Sequence, residues 1–208
     1  MTKRPARSTG ALGPRLPRSF YARPTLQVAR DLLGRVLVYD GPDGRRAARL
    51  VEVEAYLGHR DPASHAFRGP TPRATVMFGR PGVAYVYFSY GNHHCMNVVA
   101  HVPGVAGAVL LRGAEPMVGL AGKGPRAAST VSLEDARALA GPGRLGRAFG
   151  LAVSHTGMDL VRSSFHLRAG KPVPARQVQR SARIGIADSL AKEKRWRFAV
   201  RGSRGVTR

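Results

Sequence analysis

Acidic residues are scarce in this 208-residue chain: 12 Asp and Glu stand against 34 Lys and Arg, a formal net charge of +22. Such an excess repels itself, and a chain tolerates it most readily beside a polyanion. Nucleic acid is therefore the first partner to consider and an anionic membrane surface the second. Uninterrupted apolar runs are also missing. No window approaches the roughly 18 residues of a membrane-spanning helix, so the membrane reading has no anchor. There is one cysteine, which allows no internal disulfide and suits a reducing compartment. Cysteine-rich structural zinc is excluded on the same count. Apolar residues nonetheless make up 43% of the chain, enough for a globular domain with a core.

The segment Met1–Arg18 is basic and rich in Gly and Pro, without the apolar stretch of a secretory signal. It is expected to be a mobile basic arm, followed by one domain over residues 19–204 and a short tail at 205–208. Within that domain "RPTLQVARDLLG" places Leu26, Ala29 and Leu33 near helical spacing, with Gly34 as a stop. "RVLVYD", the turn "GPDG" and "RRAARLVEVEAY" read as a hairpin. The Pro- and Gly-rich stretch that follows exceeds an ordinary connection, which favours function. Two strands flank Gly91-Asn92, then comes the apolar strand "AVLLRGAEP". "SLEDARALA" and "GRLGRAFGL" read as short helices; "DLVR", "FHLRAG", "RIGI" and "RWRFAVRG" read as short strands. Hairpins with helices at intervals predict an α+β fold: a single domain on a curved antiparallel sheet, with flanking short helices and a protruding β-hairpin.

Three stretches could carry chemistry. In "VEVEAY", Glu52, Glu54 and Tyr56 share one strand face while Val51, Val53 and Ala55 share the other. A carboxylate there fits a general base among arginines, and fits a structural ion pair as well. In "YVYFSYGNHHCMN", Tyr85 and Tyr87 share a face, and Tyr90 stands beside the Gly91-Asn92 turn. An aromatic there can wedge into a base stack or serve an aromatic core. His93, Cys95 and Asn97 share a face, but they are a poor zinc set, and no metal is expected. "GPGRLG" matches a dinucleotide-binding pattern only weakly, since no strand precedes it. It reads as a turn entering a helix whose free N–H groups and Arg144 could hold a phosphate, or as a plain connection.

Taken together, "VEVEAYLGHRDPASHAFRG", "TPRATVMFGRPGVAYVYFSYGNHHCMNVV" and "GAVLLRGAEP" resemble the alkyladenine (3-methyladenine) DNA glycosylase family, in order and spacing from about Phe20 to Gly202. The resemblance implies a single α+β domain and a monofunctional glycosylase that flips alkylated or deaminated purines out of duplex DNA. It implies a role for each matched residue. Glu54 activates the water, with Arg112 near water and backbone. Tyr56 and Tyr87 stack on the two faces of the base, His65 contacts it, and Asn97 bounds the pocket against a guanine amino group. Tyr90 fills the hole left in the duplex, and Arg73 and Arg144 are expected on the DNA backbone. No cofactor or metal is implied; the expected partner is double-stranded DNA with damaged purines, and the expected state a monomer. The location would be cytoplasmic, with the nucleoid, in a bacterium and nuclear in a eukaryote. Two positions depart from the pattern: Asn92 stands where relatives often carry Met, and Ala74 replaces an Asn after "TPR". A non-catalytic DNA- or RNA-binding protein is the alternative that charge alone would allow.

Overall fold

The long hairpin predicted around "GPDG" is the spine of the molecule. A computed structural model describes residues 12–89, 91–120, 136–186, 191 and 193–207. In it β1 (Val36–Gly41) and β2 (Gly44–Tyr56) pair antiparallel from Val36↔Arg49 to Gly41↔Gly44. β2 outruns its partner, and its far end pairs with β8 (Arg197–Val200) on the same edge. Its other edge pairs with β5 (Ala108–Val118), with irregular register on both sides of Glu52. β4 (His93–Val99) and β3 (Ala84–Ser89) continue that side, β6 (Phe165–Arg168) follows β1, and β7 (Val178–Ser181) follows β8. The result is one curled antiparallel sheet of eight strands in the order β3-β4-β5-β2-β1-β6, with the β7-β8 ribbon branching from β2. Few and short helices flank it, which is the α+β architecture expected.

Alternation decides what each face of the sheet does. Val51, Val53 and Ala55 of β2 meet Val86, Met96, Val98, Val109 and Leu111 in the main core. Onto this core pack α2 (Thr25–Leu32), through Val28, Ala29 and Leu32, and α3 (Pro142–Phe149), through Leu145, Ala148 and Phe149. The buried face of α2 is thus one position off the expected Leu26–Ala29–Leu33 line. Leu33 is buried just beyond the helix, ahead of Gly34 at φ +82°.

The last two glycines of "GPGRLG" have a packing reason. A Cβ on Gly143 would overlap the His93 ring, and one on Gly146 the His94 carbonyl oxygen, so α3 can lie against β4 only with glycine there. Such close approach is a standard use of the residue.

Several expectations need correction. "DLVR" is not a strand: the Asp159 carboxylate accepts the Val161 N–H and its carbonyl those of Arg162 and Ser163, a local turn that competes with pairing. "RIGI" is not a strand either, because its backbone is diverted to a carboxylate described below. β7 went unforeseen, since "VQRS" is polar and carries only one apolar residue. Of "SLEDARALA", the part before Ala136 lies outside the described residues, and Ala136–Leu139 is a 3-10 turn. Leu12–Arg18, expected in the arm, runs along β6 instead. Leu16 is buried and donates its N–H to Leu167, and Ala169 donates to Pro14. Arg18 opens α1 (Arg18–Tyr21) and pairs with Asp159.

Candidate active site

The face of β2 opposite the core carries Glu52, Glu54 and Tyr56, as the spacing predicts. Register extends this face across four strands: Tyr85 pairs with Asn97, Asn97 with Leu110, and Leu110 with Glu54. Tyr87 pairs with Cys95 one step along, and Arg112 follows Leu110 on the same face of β5. The strands therefore bring together Glu54, Tyr56, Tyr87, Asn97 and Arg112. The loop after β2 closes over them and adds His65 and Arg73.

Between loop and sheet lies a cavity of about 370 Å³, within the range of small-molecule sites. Tyr56, His65, Tyr85, Tyr87, Asn97 and Arg112 line it. Arg73, Met77, Cys95 and Ile184 also line it, as does Pro142 at the start of α3. Tyr85, Cys95, Met77 and Ile184 had no assigned role in the sequence. The first two follow from the same period-2 pattern as Tyr87 and Asn97; Ile184 leaves no local signal.

Glu54 has no solvent-exposed surface. One carboxylate oxygen accepts the Ile184 N–H at 2.8 Å; the other accepts the Tyr56 O–H at 3.0 Å and Arg112 Nη1 at 3.4 Å. All three donors also line the cavity, so the carboxylate sits directly behind its wall. Burial raises the Glu54 pKa above the ordinary glutamate value; the Arg112 charge and the two other donors oppose that rise, and Glu52 adds to it.

Glu52 is equally buried but occupied differently. It accepts Arg112 Nε at 3.2 Å, Arg197 Nε at 2.7 Å, and both the N–H and the hydroxyl of Thr207, at 2.6 and 2.7 Å. Arg112 is thus held between the two carboxylates.

The aromatic walls are fixed by contact. His65 Nδ1 and the Tyr85 hydroxyl lie 2.7 Å apart in a hydrogen bond, and the His65 ring meets Tyr87 edge-on at 4.7 Å. His65 stands at the mouth, open to water on one side. Lost hydration on the other and the nearby Arg73 charge lower its pKa to about 4, so it is neutral near pH 7. Asn97 donates its amide N–H to the Tyr85 carbonyl at 3.1 Å, which locks its orientation. Arg73, expected on the DNA backbone, lies over the Tyr87 ring at 4.9 Å and lines the cavity itself. Ala74 is buried beneath the loop with Ala66, Met77 and Tyr85.

Arg144 is exposed in the first turn of α3 and donates to the Arg137 carbonyl at 3.2 Å. Tyr90 lies outside the described residues. Its neighbours Gly91 and Asn92 are exposed at the end of the β3–β4 hairpin, where Gly91 has φ +69°. Among the described residues, no group of three or more His, Cys, Asp or Glu side chains comes together as a metal-ligand set.

Comparison with known proteins identifies the family. The sequence model of the family described as Methylpurine-DNA glycosylase (MPG) matches residues 19–204. A protein of Myxococcus xanthus (strain DK1622) is 48% identical over 195 residues, 93% of each chain. One from Rhodopseudomonas palustris (strain BisB18) is 47% identical over 198 residues, 95% of this chain and 92% of its own. One from Chlorobium phaeovibrioides (strain DSM 265 / 1930) is 44% identical over 190 residues, 91% of this chain and 94% of its own. All three bear the name "Putative 3-methyladenine DNA glycosylase". The chain therefore belongs to the methylpurine-DNA glycosylase family, and it is a DNA-repair hydrolase of N-glycosyl bonds.

Proposed function

We propose that this enzyme flips alkylated and deaminated purines (3-methyladenine, 7-methylguanine, hypoxanthine and ethenoadenine) out of duplex DNA and hydrolyses their glycosidic bond with a water activated by Glu54. The observation that carries the reading is a buried carboxylate whose three donors all face a cavity walled by Tyr56 and Tyr87.

The proposed steps run as follows. Arginines on the surface engage phosphates, with Arg144 and Arg73 on the side of the cavity mouth. Tyr90 enters the stack, and the purine turns into the cavity at a cost of a few kcal/mol, least for bases that pair badly. Tyr56 and Tyr87 offer π faces to it, and a cationic alkylpurine gains from them electrostatically. Neutral His65 adds no opposing charge. Asn97, locked by its bond to Tyr85, limits the depth available and opposes the amino group of an undamaged guanine; the cationic ring of 7-methylguanine offsets that contact by its attraction to the tyrosine faces. Glu54 takes a proton from water as the oxygen bonds to C1′; the C1′–N bond breaks and its electron pair leaves with the base. A 3- or 7-alkylpurine leaves as a neutral molecule and needs no proton; hypoxanthine and ethenoadenine leave as anions and take up a proton, from solvent or from the protonated Glu54, once the bond is broken. Among the described residues no lysine lines the cavity, which supports a water nucleophile over a lysine amine, and hence a monofunctional enzyme; a monomer is proposed as its working state.

Defined duplexes that each contain one of these lesions test the proposal. Free base and an abasic strand are expected with lesion-containing duplex and not with its undamaged counterpart. Tight binding to every lesion without release of base would overturn it.

A further inference from the structure

Arg183 joins three parts of the site that are distant in sequence. Its side chain is fully buried and pairs with Asp61, also fully buried, through two parallel bonds: Nη1 to Oδ2 at 2.6 Å and Nη2 to Oδ1 at 2.7 Å. Nη1 also donates to the Ala55 carbonyl at 2.9 Å. The guanidinium carbon lies 4.5 Å from the Tyr56 ring centre and 5.1 Å from that of Trp196. Asp61 in turn accepts the N–H groups of Leu57 and Ala63, each at 3.2 Å, so it shapes the start of the loop that leads to His65. The residue after Arg183 is Ile184, whose N–H donates to Glu54.

Stability alone explains this poorly. Two charges lose their water, and Arg183 Nε has no hydrogen-bond partner among the described residues. A buried pair with a donor left over is often no better for folding than apolar residues of the same volume. What the fork supplies is direction, since a planar guanidinium bonded on two sides can hold a ring face and a backbone segment at once.

We propose that Arg183 is a positioning residue for base excision: through Asp61 it fixes the Tyr56 wall of the cavity and holds the Ile184 amide on Glu54. The proposal rests on the reading of Glu54 as the group that activates water. Glu54 is faced by Arg112 from β5, Glu52 and Tyr56 from its own strand, Tyr87 from β3 and the Ile184 amide. Arg183 lies behind Tyr56, and Arg197 of β8 is committed to Glu52. If the Ile184 amide drifts, the ionised carboxylate loses a donor while Arg112 and Tyr56 remain. Glu54 then protonates at higher pH.

The test is single-turnover release of hypoxanthine from a defined duplex, followed against pH with enzyme in excess. Arg183→Lys keeps the charge and loses the fork and the plane. It is expected to lower the maximal rate roughly 10- to 100-fold, the scale of a misplaced catalytic group. It should also move the acidic limb of the profile to higher pH, in a protein that still unfolds cooperatively. The emission of Trp196, the only tryptophan of the chain, should shift in the same variant. Asp61→Asn should move the limb in the same direction.

A folded Arg183→Lys protein with the wild-type rate and limb overturns the proposal. So does a lower rate with an unmoved limb, which a merely structural defect would give. Should Arg183→Lys fail to fold, Asp61→Asn decides alone; failure of both would make the pair a requirement of the fold and refute the positioning role. Glu54→Gln, assayed in parallel, separates the two claims. If Glu54→Gln stays active, the underlying reading fails. If it is inactive while Arg183→Lys behaves as wild type, only the role of Arg183 fails.

Discussion

Two carboxylates two residues apart on one strand, Glu52 and Glu54, stand in regions built on opposite plans. Around Glu52 the sheet is closed. Arginines from β5 and β8 and the Thr207 backbone and hydroxyl saturate the carboxylate. Around Glu54 the same strand ends at a cavity, and each donor to the carboxylate is also a wall residue. Both side chains are wholly buried, so burial does not distinguish them. The difference lies in where the partners go next: into the sheet for Glu52, and toward the space a base would fill for Glu54. Arg112 bridges the two, so the closed region serves as the mount for the open one.

The sharpest break of this comparison is expected from Glu54→Gln. Gln keeps the shape but takes no proton from water, so single-turnover base release should fall about 10²- to 10⁴-fold. Unfolding in urea at pH 7 should be no easier than for wild type, because the folded state already disfavours the charged form of this residue. Binding of lesion duplex should persist. Release near the wild-type rate would remove Glu54 from the chemistry.

Glu52→Gln should do the reverse. It leaves Arg112 and Arg197 short of a counter-charge in a closed region, and breaking a buried pair in this way costs about 3–5 kcal/mol. Denaturant midpoints should drop accordingly, while the rate per folded molecule falls far less than for Glu54→Gln. A Glu52→Gln protein of full stability would show that the network around Thr207 does not hold the sheet together.

Acidity distinguishes the regions again, with smaller effects. The Glu54 pKa is raised in the folded protein, so its protonated form is the one that favours folding. That contribution is complete below the unfolded glutamate value and is lost as pH rises through the higher folded one. In the proposed mechanism activity runs the other way, since base release there needs the ionised form. The acidic limb of the rate profile should therefore fall above the ordinary glutamate range. His65 has the opposite sign: its pKa drops from 6.5 to about 4, so between these values the unfolded chain binds the extra proton. His65 accordingly lowers stability as pH falls through that window, and His65→Gln should flatten the dependence there. A rate profile with no acidic limb above the ordinary glutamate range would contradict the environment described for Glu54.

What could be read in advance follows the range of each signal. The face shared by Glu52, Glu54 and Tyr56 is a property of one strand, and the β3–β4 hairpin carries Tyr87 to Cys95 and Tyr85 to Asn97 by local pairing. Such period-2 patterns show in the sequence. "RIGI" looked like a strand because four residues carry no record of where their backbone N–H groups go. Here one goes to Glu54, 130 positions away. The bond between Arg183 and Asp61 spans 122 positions and likewise has no local trace. The glycines of "GPGRLG" drew attention as a phosphate motif, yet at Gly143 and Gly146 the requirement is the approach of α3 to β4. A pattern of small residues records that something comes close, without saying whether it is a ligand or the protein's own strand.

The smallest expected effect concerns Arg144, which belongs to neither carboxylate. It is exposed in the first turn of α3, beside the cavity-lining Pro142, and donates to the Arg137 carbonyl. The guanidinium carries a full positive charge at the surface, and the N-terminal end of a helix adds a partial positive charge of its own. Both favour a phosphate of the strand whose base has turned inward. One phosphate contact contributes about 0.9 to the slope of log affinity against log salt on duplex DNA. Arg144→Ala should therefore flatten that slope by about one and weaken damaged and undamaged duplexes alike. The rate of base release with DNA saturated by enzyme should not change, because the Glu54 region is untouched. An unchanged salt slope would mean that Arg144 meets no phosphate, and a slower saturated rate would mean that it reaches the flipped nucleotide after all.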